Sequence, residues 1–114
     1  MIKIYHNPRC KTSREGLAYL RTKTSDIEVI DYLKEGLSRE EIREILLKTN
    51  LKPDALVRTQ EEVYRKELKG KKFTDEEWIN ILVENPKLLQ RPIMLWRHRA
   101  VLAQPPERAD ILWN

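Results

Sequence analysis

Cys10 is the single cysteine of the chain and the residue whose type and position best suit covalent chemistry. It stands between an apolar, β-prone segment and a helical pattern that starts at Lys11. The free amides and the dipole of a helix N-terminus favour thiolate over thiol, which lowers the pKa of a cysteine placed there. The alternative is a small buried side chain without a chemical role. The polar and basic surroundings favour a reactive thiol.

The neighbours of Cys10 supply positive charge and hydroxyl groups: Arg9, Lys11, Thr12, Ser13 and Arg14. A loop that leads into a helix N-terminus also cradles anions. The expected substrate is therefore an oxyanion or a disulfide. Because a lone cysteine cannot resolve its own covalent intermediate, a redox cycle needs a second thiol from a small molecule or a partner protein.

His6 lies four residues before Cys10, and three roles are open for it. It could act as a base, as a charge partner of the thiolate, or as a turn residue that hydrogen-bonds the backbone. Metal binding is not expected, because the only other histidine is His98 and no ligand-spaced carboxylates join the two. One cysteine also excludes an internal disulfide and a cysteine-based zinc site.

The elements that position Cys10 form a β-α-β start. Residues 3–5 predict a strand that ends at the turn-forming pair Asn7-Pro8. A helix is predicted from Lys11, and residues 27–32 predict a second strand. This length suits a βαβ unit with parallel strands and a right-handed crossover. Small residues on the inner face of the helix allow close packing there: Ser13 and Gly16, beside Leu17 and Leu20.

Two later segments carry the pattern of a capping box with a hydrophobic staple, and they predict helices that start after Ser38 and Thr74. The predicted inner faces are Ile42, Ile45 and Leu46 in the first helix and Trp78, Ile81 and Leu82 in the second. Residues 54–68, between the two helices, are predicted to be helical but broken.

The last third of the chain predicts two strands and a short helix. Residues 93–96 form an apolar strand, and residues 100–103 are its predicted antiparallel partner. A short helix follows Gln104, with Pro106 suited to its first turn. The complete order of elements is β-α-β, then helices, then β-β-α. This order predicts an α/β protein with a mixed sheet and helices on its faces.

The composition suits one domain over residues 1–114, with 40% hydrophobic and 35% charged residues. No apolar run is long enough for a membrane span, and the N-terminus lacks the features of a signal peptide, so a cytoplasmic protein is expected.

The net charge is +4, but most basic residues alternate with acidic ones, which is typical of solvated helix faces. Nucleic-acid binding is therefore not expected. The exception to the alternation is the basic cluster Arg97-His98-Arg99.

The segment YHNPRCKTSR, residues 5–14, resembles the active-site segment of the glutaredoxin-dependent arsenate reductases. Further landmarks of that family follow in the right order: residues 55–58, 72–76, 89–93 and 104–107. The resemblance implies a thioredoxin-like sheet with an inserted helical region at about residues 38–88. The family also includes paralogues of unproven activity and a regulator subfamily that binds RNA polymerase.

The resemblance also implies roles for individual residues. Cys10 matches the nucleophile that attacks arsenate, His6 the histidine that helps to keep it ionised, and Ser13 the nearby hydroxyl. Arg58 and Arg91 match the arginines that hold the oxyanion, and Thr12 is placed with them as a substrate-binding hydroxyl. Glutathione is the implied co-substrate, glutaredoxin the implied partner, and no tightly bound cofactor is expected. Pro92 matches a proline that follows a cis peptide bond.

One position departs from the family pattern. A third arginine commonly precedes the proline-rich tail, and here that residue is Gln104. Arg97 or Arg99 could replace the missing charge. The substitution leaves open a thiol oxidoreductase that acts on another substrate, or a regulator. The regulators typically use a Cys-x-x-Cys redox switch, which this chain excludes because Ser13 stands in the fourth position of that pattern.

Overall fold

Four strands form one mixed sheet in the order β2-β1-β3-β4. The structure is a computed structural model that describes residues 1–114. The strands are β1 (Ile2–His6), β2 (Ile27–Asp31), β3 (Ile93–Trp96) and β4 (Arg99–Leu102). β1 and β2 are parallel, whereas β3 is antiparallel to both β1 and β4. The predicted mixed sheet is confirmed, and the carboxyl end of β1 lies beside the start of β3.

Helix α1 (Lys11–Lys23) connects β1 to β2, which confirms the predicted β-α-β start. The prediction that Tyr32 belongs to the second strand was wrong. β2 ends at Asp31, and Tyr32 is the first residue of the short helix α2 (Tyr32–Glu35). The chain turns here because the Asp31 amide donates to the Glu35 carboxylate at 3.2 Å, and Gly36 ends the helix at a φ of 82°. Tyr32 is thereby buried.

Helices α3 (Arg39–Thr49) and α4 (Asp75–Glu84) begin at the two predicted capping boxes. The Ser38 hydroxyl accepts from the Glu41 amide at 3.1 Å, and the Glu41 carboxylate accepts from the Ser38 amide at 2.9 Å. Thr74 and Glu77 form the same pair of bonds, at 3.1 and 2.8 Å. Because both boxes satisfy amides that the helix leaves free, these two helix starts are readable from sequence.

The buried face of α4 differs from its prediction. Trp78 and Leu82 are buried as expected, but Ile79 is buried and Ile81 only half-buried. The reason is that α4 packs against α3 on one side and against the turns at Pro53–Leu56 and Pro86–Leu88 on the other. The segment before α4 holds that 3-10 turn and a π-helical turn, Tyr64–Leu68, which confirms a broken helical region.

The sheet has a hydrophobic cluster on each face. The α3–α4 side buries the larger cluster, which includes Tyr5, Ile30, Tyr32, Ile42, Ile45, Leu82, Leu89 and Ile93. The other side is covered by α1 and the terminal 3-10 helix, Pro106–Trp113, and includes Ile4, Leu17, Leu20, Met94, Ala109 and Leu112. No helix in the chain is both long enough and apolar enough to cross a membrane.

β4 lies one residue earlier than predicted, because Trp96 pairs with Arg99 across a two-residue turn. Ala103 is therefore outside the strand, and its amide donates to the Pro92 carbonyl at 3.0 Å. The Arg91-Pro92 peptide bond is cis, as the resemblance implied, and so is Gln104-Pro105. These contacts bring the segment after β4 to the start of β3.

Gly16 places α1 directly against Pro92. A Cβ atom at Gly16 would overlap Pro92 Cγ and lie 3.4 Å from its Cβ and Cδ. Neither the helix backbone nor the proline ring can easily give way, so only a residue without a side chain fits. The small inner face of α1 therefore permits the close approach, as the sequence predicted, and the contact holds α1 against the proline of the cis peptide.

Candidate active site

Cys10 is the N-cap residue of α1, at the carboxyl end of β1, and its side chain is partly exposed. Asn7 shapes the loop that delivers it. The Asn7 carbonyl accepts from the Cys10 amide at 3.0 Å, and its side-chain oxygen accepts from the Arg9 amide at 3.0 Å. The thiol therefore stands where the unpaired amides of the helix begin, as the sequence predicted.

The surroundings of Cys10 lower its pKa to about 7. Burial alone would raise the pKa of the thiol. Hydrogen bonds from the Thr12 hydroxyl, the Ser13 amide and the Arg91 side chain, together with the charge of Arg91, outweigh that effect. Thr12 Oγ1 lies 3.1 Å from the sulfur. About half of the thiols are therefore ionised at neutral pH, which makes Cys10 a nucleophile without a dedicated base.

We expect the rate of Cys10 alkylation by iodoacetamide to rise with pH around a midpoint near 7, compared with about 8.5 for an unperturbed cysteine. Because Cys10 is the only thiol, the measurement is unambiguous. Thr12→Val removes the hydroxyl beside the sulfur and should raise the midpoint. Thr22→Val, on the same helix, removes a hydroxyl that bonds only the Tyr19 carbonyl and should leave it unchanged. A wild-type midpoint at 8.5 would contradict an activated thiol.

His6 contacts Ser13 and not the sulfur. Its Nδ1 lies 2.7 Å from Ser13 Oγ, which also accepts from the Asn7 amide at 2.9 Å. Burial lowers the pKa of His6, and the charges of Arg21 and Arg14 lower it further, against the raising effect of Asp31. A neutral imidazole is therefore favoured at pH 7. The sequence left three roles open for His6, and this contact with a side-chain hydroxyl is none of them: the geometry supports positioning of Ser13.

Arg91 is buried beside Cys10, at the start of β3. Its Nη1 donates to the Lys87 carbonyl at 2.8 Å and to the Leu89 carbonyl at 3.1 Å. Its Nε is buried and has no hydrogen-bond partner. A buried donor without an acceptor is costly, and an oxyanion held against the guanidinium would relieve that cost. Arg91 thus combines a rigid anchor with a donor that is free for a ligand.

Arg58 reaches the same region from the segment between α3 and α4. Its amide donates to the Leu88 carbonyl at 2.7 Å, and the adjacent Val57 pairs with Leu89 as an isolated β-bridge. The side chain is mostly buried, and Nη1 lies 3.6 Å from the Glu61 carboxylate. Both Arg58 and Arg91 act electrostatically on the same buried phenol, Tyr32, as does Cys10. Thr12, Ser13 and Arg91 therefore surround Cys10, and Arg58 lies within electrostatic range of the phenol that Cys10 and Arg91 also affect.

Tyr32 and Glu61 are parts of this region that sequence reasoning missed. Tyr32 looked like a strand residue because its type is common in strands. Its position just past the carboxyl end of a parallel strand was the available signal, since ligands bind at that edge of α/β sheets. Glu61 carried a weaker signal, as the carboxylate three residues after Arg58.

Gln104 does not occupy the place of a third cation. Its side-chain amide donates to the Arg91 main-chain carbonyl. Arg97 and Arg99 lie at the far end of β3, in and after the turn to β4. Arg97 stacks on the Trp96 ring at 4.3 Å, and Arg99 donates to the Ile111 carbonyl at 3.1 Å. Neither arginine contributes to the Cys10 region, so Arg58 and Arg91 remain the two candidate residues for binding an anion there.

No group of three or more His, Cys, Asp or Glu side chains could hold a metal ion. The chemistry of the region is that of an activated thiol beside the guanidinium of Arg91. A mixed sheet that presents such a cysteine at the N-terminus of its first helix, next to a cis-proline, defines a thiol-dependent oxidoreductase of thioredoxin-like fold. The comparisons with known proteins agree with this class.

The chain belongs to the ArsC family, whose model matches residues 5–111. It is 36% identical to an arsenate reductase of Acidiphilium multivorum, over 93% of this chain and 76% of that protein. It is also 35% identical to the uncharacterized protein YfgD of Escherichia coli, over 94% and 92% of the two chains. Among solved structures, the arsenate reductase from Vibrio cholerae superposes with a TM-score of 0.91 at 34% identity, covering 97% of this chain and 96% of the other.

Proposed function

We propose that this protein reduces arsenate to arsenite, with glutathione as the co-substrate. Glutaredoxin is the proposed partner that regenerates the Cys10 thiol. The observation that carries the proposal is the placement of a thiol with a pKa of about 7 beside the buried guanidinium of Arg91. Arginine suits a tetrahedral oxyanion because its planar fork donates paired hydrogen bonds and keeps its charge. Membership of a family that includes arsenate reductases supports the substrate.

The first step is attack by the Cys10 thiolate on arsenic. An S–As bond forms, and one arsenate oxygen leaves as water after it takes up protons. Arg58 and Arg91 hold the remaining oxygens, and their charge favours the anionic adduct. Arsenic is still As(V) at this stage. The proposed roles of Thr12 and Ser13 are to donate to the sulfur before attack, and His6 holds Ser13 in place.

The second step needs an external thiol, because the chain has no second cysteine. The glutathione thiolate attacks Cys10 Sγ, the S–As bond breaks, and its electron pair stays on arsenic. Arsenic falls from As(V) to As(III) and leaves as arsenite, while two thiols are oxidised to a Cys10–glutathione disulfide. Glutaredoxin then reduces this mixed disulfide by thiol–disulfide exchange. The cycle needs a compartment that keeps thiols reduced, and we therefore propose that the protein acts in the cytoplasm.

Gln104 favours a second candidate, a thiol oxidoreductase of the same plan that acts on another substrate. A charged hydrogen bond to an anion contributes about 1.5–3 kcal/mol, and a neutral amide turned towards the Arg91 carbonyl does not supply one. Glutathionylated proteins or other disulfides would be substrates that need less positive charge than arsenate.

The test is arsenate turnover by purified protein with glutathione and glutaredoxin, for wild type and Gln104→Arg. We expect arsenite release that depends on both thiol components, and a rise in kcat/KM of about tenfold or more in the variant, as one added charged hydrogen bond implies. Gln104→Asn, which shortens the amide without adding charge, is the control and should not gain activity. No arsenite from wild type at saturating arsenate, with Cys10 still rapidly alkylated, would reject arsenate and favour the second candidate.

A further inference from the structure

Tyr32 is a buried phenol that belongs to the larger hydrophobic cluster and lies within electrostatic range of Cys10 and Arg91. Its hydroxyl lies 3.4 Å from the Leu89 carbonyl, to which it donates. Burial raises its pKa to about 12, so the phenol stays protonated at neutral pH and acts as a donor. α2 brings it from the carboxyl end of β2 to the segment before β3.

The Leu89 carbonyl links Tyr32 to Arg91. It accepts from Tyr32 Oη on one side and from Arg91 Nη1, at 3.1 Å, on the other. The positive charge of Arg91 also acts on the phenol and opposes the rise of its pKa. Because Lys87 and Leu89 hold Nη1, the direction in which Nε points depends on where these carbonyls stand. A group that holds the Leu89 carbonyl therefore controls the orientation of the whole guanidinium.

We propose that Tyr32 is a positioning residue of this site: its hydroxyl holds the Leu89 carbonyl and, through it, keeps the Arg91 guanidinium against Cys10. This inference rests on the proposed function in one respect: it assumes that Cys10 and Arg91 are the groups that act in the reaction. It gives Tyr32 a role in the state of the thiol, in addition to its packing. Without the hydroxyl, the guanidinium has one fewer constraint and spends less time beside the sulfur.

The experiment is the pH profile of Cys10 alkylation in Tyr32→Phe, which keeps the ring and removes only the hydroxyl. We expect the Cys10 pKa to rise by about half a unit, which lowers the alkylation rate at pH 6 about threefold. Tyr5→Phe is the matched control. Tyr5 is equally buried in the same cluster, and its hydroxyl donates to the Glu41 carboxylate at 3.1 Å, away from the thiol. Both variants should lose stability to urea, but only Tyr32→Phe should shift the Cys10 profile.

A double-mutant cycle with Arg91→Lys tests whether Tyr32 acts through Arg91. In the Arg91→Lys background the guanidinium is absent, so Tyr32→Phe should leave the Cys10 profile unchanged. An unshifted profile in the Tyr32→Phe single variant, or an equal shift in both backgrounds, would overturn the proposal. These readouts use no arsenate. If wild type does not turn over arsenate, the proposed function is rejected. The role of Tyr32 is then still decided by the alkylation profiles alone.

Discussion

Cys10→Ser will abolish arsenate reduction, with a rate at least about 10⁴-fold below wild type and at the level of the uncatalysed mixture. The serine hydroxyl takes almost the same volume and keeps the Thr12 and Ser13 neighbours. Its pKa, however, is too high for these donors to ionise it at neutral pH, and no base contacts this position to deprotonate it. The variant therefore has no nucleophile. Arsenite release, measured with saturating glutathione and glutaredoxin, checks the result.

The same variant separates binding from chemistry. Arg58 and Arg91 are untouched by Cys10→Ser, so arsenate should still stabilise the protein against thermal unfolding. Mass spectrometry should find one glutathione attached to wild type after a single turnover without glutaredoxin, and none attached to the variant. Ser13→Ala is a useful companion, because it removes the buried hydroxyl that bonds His6 and the Asn7 amide and should slow turnover without abolishing it. Turnover by Cys10→Ser within tenfold of wild type would show that the chemistry lies elsewhere.

Structural features that depend on residues close together in the sequence could be predicted. Each capping box joins two residues three positions apart, Ser38 with Glu41 and Thr74 with Glu77, and both pairs formed as predicted. The placement of Cys10 at the start of α1 follows from the change of period at Lys11. The close approach at Gly16 also follows from the small inner face of that helix, although the partner, Pro92, is known only from the structure.

The features that escaped prediction depend on contacts between distant segments. Tyr32 has a strand-forming side chain, but the end of β2 and the Leu89 segment, 57 residues later, decide where it lies. Ile79 is buried in the larger cluster, and α4 contacts two turns in addition to α3, which no periodicity within the helix reveals. Gln104 could be recognised as an unusual residue, but its bond to the Arg91 carbonyl depends on how the chain after β4 returns to β3.

Arg91→Lys will lower kcat/KM for arsenate by roughly 10²–10³-fold and will raise the Cys10 pKa. Arg91 has one buried donor without a hydrogen-bond partner, and its side chain also lowers the pKa of Cys10. A lysine keeps the positive charge but has neither the fork nor the reach to hold two carbonyls and an anion together. The loss of one to two charged hydrogen bonds, about 1.5–3 kcal/mol each, sets the expected size of the effect.

The control for Arg91→Lys is Arg97→Lys, which makes the same change at an exposed arginine that stacks on Trp96 at the far end of β3. That variant should keep wild-type turnover and the wild-type alkylation profile. Urea unfolding of both variants identifies any loss that comes from stability, because Arg91 also ties the 87–89 turn to the sheet. If folded Arg91→Lys keeps kcat/KM within threefold of wild type, Arg58 and the helix amides hold the oxyanion, and the buried guanidinium of Arg91 is not the group that binds it.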